Sequence, residues 1–144
     1  MKPPPTPVTK TFPDIAVGER AQFEAVITTE LVNEFAKLSG DYNPLHTDEA
    51  YAHDTAFGER IAHGMLAGLF FSRLVGMHLP GMHCLYISQS LFFRKPMRIG
   101  MEVVVSGNVA HKTESLQTLS LRMSVSEKSS GETLTDGEAI VKMI

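Results

Sequence analysis

Four alternating segments that follow a long apolar helix predict an α+β chain, with an antiparallel sheet wrapped around that helix. Three observations carry the prediction. Residues 64–79 are apolar on nearly every side of a helix, the mark of a buried one. After Gly81, four segments carry Val, Ile, Leu and Phe in alternation, with turn residues between them. The chain has 144 residues, the size of one domain and enough for a core without staples.

The elements follow in order. Met1 to Pro7 holds four prolines, which fix φ and cannot donate to a ladder. Residues 1–10 are therefore expected as a flexible Pro-rich lead-in, and residues 11–144 as a single domain. Ala21 to Ile27 alternates loosely and reads as a strand. Thr28 and Thr29 offer caps to a helix carrying Leu31, Phe35 and Leu38 at helical spacing. Gly40 tolerates left-handed φ and ends that helix. Asp41 to Arg60 is polar, with room for a short helix near Asp48 to His53. Gly64 to Leu79 is the apolar helix, stopped by Pro80-Gly81. Strands are expected over Leu85–Arg94, Met101–Lys112, Leu116–Glu127 and Thr133–Met143. An exposed edge on such long strands invites pairing with a second copy.

Composition excludes several classes. Lys+Arg is 13 and Asp+Glu 16, a net charge of −3, so no basic excess exists to neutralise phosphates, and no nucleic acid is expected as partner. No run approaches a membrane span, and the proline-rich start is no apolar leader. A cytoplasmic protein is the expectation. The lone Cys84 cannot form an internal disulfide and reads as a small buried hydrophobe. Dinucleotide and P-loop fingerprints are absent, and Ser72 has no nucleophile elbow around it.

The stretch from Ser39 to Asp48 carries the chemistry. Asp41 and His46 are five residues apart, with Pro44 stiffening the bend between them. A carboxylate and an imidazole so placed can hold one water and share acid and base work. The same residue types also serve as ordinary turn and cap groups. His63-Gly64-Met65 opens the apolar helix, whose N-terminus offers unpaired N–H groups and partial positive charge. Gly64 there suits an oxyanion hole or, as plainly, close packing of helix on sheet. His63 is expected to be structural. His46, Asp48 and His53 match no strong metal spacing, so no metal is expected.

Together these residues resemble the MaoC-like dehydratase family, and within it the (R)-specific enoyl-CoA hydratases. The matching text is Gly40-Asp41-Tyr42-Asn43-Pro44-Leu45-His46, Ala56-Phe57 with Arg60, His63-Gly64-Met65-Leu66 and Leu79-Pro80-Gly81. It continues through Tyr86, Gln89-Ser90-Leu91, Phe93, Pro96 and Gly100 to Gly137-Glu138-Ala139. The resemblance implies a hot-dog fold and a homodimer or dimer-based oligomer. It implies cofactor-free hydration of a trans-2-enoyl-CoA to a (3R)-3-hydroxyacyl-CoA, with acyl-CoA as substrate. Asp41 and His46 match the catalytic pair. Gly64 matches the backbone N–H that binds the thioester oxygen. Asn43 fits a role in fixing the loop, and Ser72 falls where related hydratases carry a serine near the site.

Three other functions compete: a dehydratase of acyl carrier protein thioesters, a thioesterase on the same fold, and a non-catalytic acyl-thioester-binding subunit. The Asp-x-Asn-Pro-x-His loop favours hydration, and intact Asp41 and His46 argue against a non-catalytic subunit. Arg60, Arg94, Lys95 and Arg98 are the basic groups available to the CoA phosphates. Phe70 and Phe71 either shorten an acyl pocket or fill the core.

Overall fold

The computed structural model describes residues 1–144. Strand β1 (Arg20–Val26) leads into helix α1 (Thr29–Ser39). Two short helices follow, α2 (Pro44–Thr47) and α3 (Glu49–His53), and then α4 (Leu66–Arg73). The remaining strands are β2 (Cys84–Gln89), β3 (Phe92–Phe93), β4 (Glu102–Thr113), β5 (Thr118–Glu127) and β6 (Thr133–Met143). All pairings are antiparallel, in the order β1-β4-β5-β6-β2, with β3 also on β6.

Alternation explains the sheet. On β4, Val103, Val105 and Val109 point inward, and on β5 Leu119, Leu121, Met123 and Val125 do the same. They meet Leu66, Ala67, Phe70, Phe71, Leu74 and Val75 in one core. Gly107 on β4 is where the helix comes closest. A Cβ there would lie 2.6 Å from Leu74 Cδ2, so any larger residue would have to displace the buried Leu74 side chain.

α1 begins and ends where its caps predict. The Thr28 hydroxyl accepts from Leu31 N–H at 3.1 Å, and Gly40 adopts φ 79°. Its buried face is rotated from the expected one. Val32 and Ala36 are buried, whereas Leu38 is 80% exposed.

Three expectations are corrected. The apolar helix is shorter than expected: Gly64 and Met65 form a turn, α4 ends at Arg73, and Leu74–His78 winds on as a π-helix. Nor is it buried all round, because Met65 and Leu69 are four residues apart and share an outward face. The strand expected over Leu85–Arg94 is broken in two. Ser90 folds onto β6, where a Cβ on Gly137 would sit 1.8 Å from the Ser90 carbonyl oxygen. Ser90 Oγ accepts there from Glu138 N–H at 2.9 Å. Finally, the end of the lead-in is tied down. Val8 N–H donates to Met77 O at 3.0 Å, and Val8 O accepts from Met82 N–H at 2.9 Å. Lys10 adds an ion pair to Glu19.

Candidate active site

The loop after α1 is shaped by its own polar side chains. Ser39 Oγ accepts from Asp41 N–H at 3.1 Å. Asp41 Oδ1 accepts from Asn43 N–H at 3.1 Å, and Asn43 Oδ1 from Leu45 N–H at 3.0 Å. Pro44 occupies the first turn of α2, where its missing N–H costs nothing. Asp48 caps α3 through Tyr51 N–H at 2.9 Å. The turn and capping chemistry of this stretch is therefore real, and it delivers Asp41 and His46 to one place.

His46 Nδ1 lies 2.8 Å from Ile61 O. A carbonyl only accepts, so Nδ1 carries the proton and Nε2 keeps a lone pair. His63 is built the same way: its Nε2 donates to Asp41 O at 2.9 Å. Its Nδ1 is buried with no hydrogen-bond partner. The His63 ring lies between His46, with centroids 4.1 Å apart, and Phe35, at 4.7 Å. One carboxylate oxygen of Asp41 and one ring nitrogen each of His46 and His63 lie within 4.8 Å of one another. The sequence considered His46 with Asp48 and His53. Instead Asp48 is spent on its cap, and His53 is exposed beside Asp54.

Beside this cluster lies a cavity of about 410 Å³. One wall is His46, Phe57, Ile61, Ala62, Gly64 and Met65, and the other is Phe93 to Met97 with Thr135. Gly64 sits at the turn into α4, and its N–H has no acceptor within the protein. A Cβ on Gly64 would meet the Phe93 ring at 3.1 Å, so a side chain there would need that ring to give by a few tenths of an ångström. Ser72 is exposed on α4 and lines no part of the cavity.

Arg60 was counted among the basic groups open to a phosphate. It is buried instead. Its Nε donates to His46 O at 2.6 Å, one terminal nitrogen to Asn33 Oδ1 at 2.7 Å, and the other to Glu49 at 3.3 Å. It clamps α2 and α3 to α1. Arg94 and Lys95 do line the cavity, Arg94 in a two-pronged pair with Asp136 and Lys95 beside Glu132. Phe70 and Phe71 belong to the core and not to the cavity. Burial pushes the Cys84 thiol pKa up, in line with an inert side chain. Sequence reasoning named Phe93, Arg94, Lys95 and Pro96 without placing them on one wall, and it missed Met97 and Thr135. Nothing local marks residues that a sheet brings in from 30 to 90 positions away.

An antiparallel sheet curled about one central helix is the architecture of the hot-dog fold. A family model described as "MaoC like domain" matches residues 14–131. The 3-hydroxybutyryl-CoA dehydratase of Methylorubrum extorquens is 39% identical, covering 92% of this chain and 83% of that protein. The (R)-specific enoyl-CoA hydratase of Aeromonas caviae is 39% identical over 90% of this chain and 96% of its own. The unliganded R-hydratase PhaJ1 from Pseudomonas aeruginosa superposes with a TM-score of 0.88, at 34% identity, over 92% of this chain and 84% of its own. The chain thus belongs to the MaoC-like dehydratase family and is a hydro-lyase of that family.

Proposed function

We propose that the protein is an (R)-specific enoyl-CoA hydratase, adding water reversibly and syn to a trans-2-enoyl-CoA to give the (3R)-3-hydroxyacyl-CoA. One observation carries the reading: a ring nitrogen of His46 lies within 4.8 Å of an Asp41 carboxylate oxygen, beside a cavity lined by His46 and by Gly64, whose N–H has no acceptor in the protein.

A water between the two groups donates one O–H to Asp41 and the other to Nε2. That leaves an oxygen lone pair free for C3 of the enoyl thioester. As the O–C3 bond forms, the water proton passes to the pair and electron density moves through C2 to the thioester oxygen. That oxygen faces the Gly64 N–H and the start of α4, where an oxyanion is stabilised. The proton then returns to C2 on the same face, and the thioester carbonyl is restored. Asn43 holds the loop through Asp41 and Leu45. No cofactor takes part.

We propose a homodimer as the working unit. Leu85 and Ile87 on the open edge strand β2, and Phe92 and Phe93 beside it, are all more than half exposed.

The test is loss of enoyl absorbance on adding crotonyl-CoA. A 3-hydroxyacyl-CoA dehydrogenase specific for the S enantiomer should then reduce no NAD, and an R-specific one should. Turnover of crotonyl-acyl carrier protein in preference, or thiol release from acetyl-CoA without hydration, would favour the competing activities.

A further inference from the structure

We infer that His63 is the positioning residue of this site, holding Asp41, His46 and the Gly64 N–H in one geometry. The inference rests on the hydration chemistry proposed above. The other bonds that hold Asp41 are local, to Ser39 Oγ and Asn43 N–H within its own loop. Its side chain is exposed, and it follows the left-handed Gly40 at the end of α1. The group that reaches back across 22 residues to its backbone is His63 Nε2, at 2.9 Å.

The second link is to His46. The two rings lie with centroids 4.1 Å apart and planes inclined by 34°. His46 is anchored on one side by Ile61 O, and His63 forms the wall behind it. Phe35 of α1 backs His63 in turn, at 4.7 Å. The third link is covalent. The N–H of Gly64 belongs to the His63–Gly64 peptide, whose carbonyl oxygen accepts from Leu66 N–H at 3.0 Å. That bond sets the direction of the peptide plane, and hence of the N–H on its other side. One residue therefore touches all three working groups without contacting the cavity itself.

A merely space-filling histidine would not need this tautomer. His63 is 2% exposed, and its Nδ1 has no hydrogen-bond partner within the protein, a cost of burial that an apolar ring would avoid. Retaining an imidazole there makes sense if the Nε2–H bond to Asp41 is what the position requires.

The experiment compares His63→Phe, which keeps the ring and loses the donor, with His63→Gln, which keeps an amide N–H. On crotonyl-CoA, His63→Phe should lower kcat at least about 10-fold with KM changed less than about 3-fold. His63→Gln should recover part of that loss. In an Asp41→Asn background, His63→Phe should cost less than about 3-fold more, because the two act through one another. A crystal structure of His63→Phe should show the Asp41 carboxylate displaced from its place within 4.8 Å of His46. The idea is overturned if folded His63→Phe keeps full kcat, if its loss multiplies with that of Asp41→Asn, or if Asp41 stays in place. Should His63→Phe not fold, His63→Met replaces it under the same criteria. Wild-type protein inert toward crotonyl-CoA would sink the hydratase reading, while the displacement of Asp41 would still decide the role of His63.

Discussion

Replacing Arg60 by Met separates two roles that its position allows. In the structure the guanidinium serves His46 O at 2.6 Å, Asn33 Oδ1 at 2.7 Å and Glu49 at 3.3 Å. The Glu49 side chain is 72% exposed, so that contact contributes little. The other two are buried, charge-assisted hydrogen bonds, typically about 1.5–3 kcal/mol each. Methionine fills much of the volume but strands both acceptors. The expected loss is about 3–5 kcal/mol, which for a domain of this size is a fall in Tm of roughly 9–15 °C. His46 loses its carbonyl anchor as well, so kcat should fall while KM for enoyl-CoA stays within about 3-fold. Arg60→Lys, which can satisfy one acceptor, should lie between. Thermal unfolding followed by circular dichroism, with crotonyl-CoA kinetics below the transition, reads both quantities. A Tm within about 3 °C of wild type, together with a KM raised 10-fold or more, would refute the clamp and return Arg60 to the CoA phosphates.

Asp41→Asn and His46→Gln should each cut kcat by at least about 10²-fold with little change in KM, the general acid–base range. The double mutant should lose far less than the product of the two, since one water serves both groups. Deleting residues 1–6 should leave Tm unchanged, whereas deletion through Lys10 removes both Val8 backbone bonds and should lower Tm by roughly 3–9 °C. Sedimentation at micromolar concentration should give a dimer or larger assembly. A fully active monomer of 15.8 kDa would contradict the edge-strand argument.

What could be read from residues alone depended on whether the signal was local. Thr28, Gly40 and the alternation of β4 to β6 act on their own neighbourhoods, and those elements stand where the sequence placed them. Asp41, Asn43 and His46 were legible because turn chemistry and the motif lie within six consecutive residues. The break between β2 and β3 was not legible, because it depends on Gly137 admitting the Ser90 carbonyl from far along the chain. The outward face of α4 misled for a related reason. Met65 and Leu69 look like core until the sheet is seen to cover only one side of the helix. Arg60 reads as a surface cation, and only the assembly of α1, α2 and α3 around it reveals acceptors that desolvate it.

The cavity's two walls have separate origins in the chain. Residues 41–65 supply every atom assigned a part in bond making, whereas the facing wall comes from residues 93–97 and Thr135. Such a division makes the enzyme modular in an engineer's sense. A graft of the 93–97 segment from a relative with another appetite would redraw the binding space while leaving the loop of Asp41 and His46 untouched. Acyl selectivity and turnover should therefore be able to drift independently, by substitution on one wall at a time.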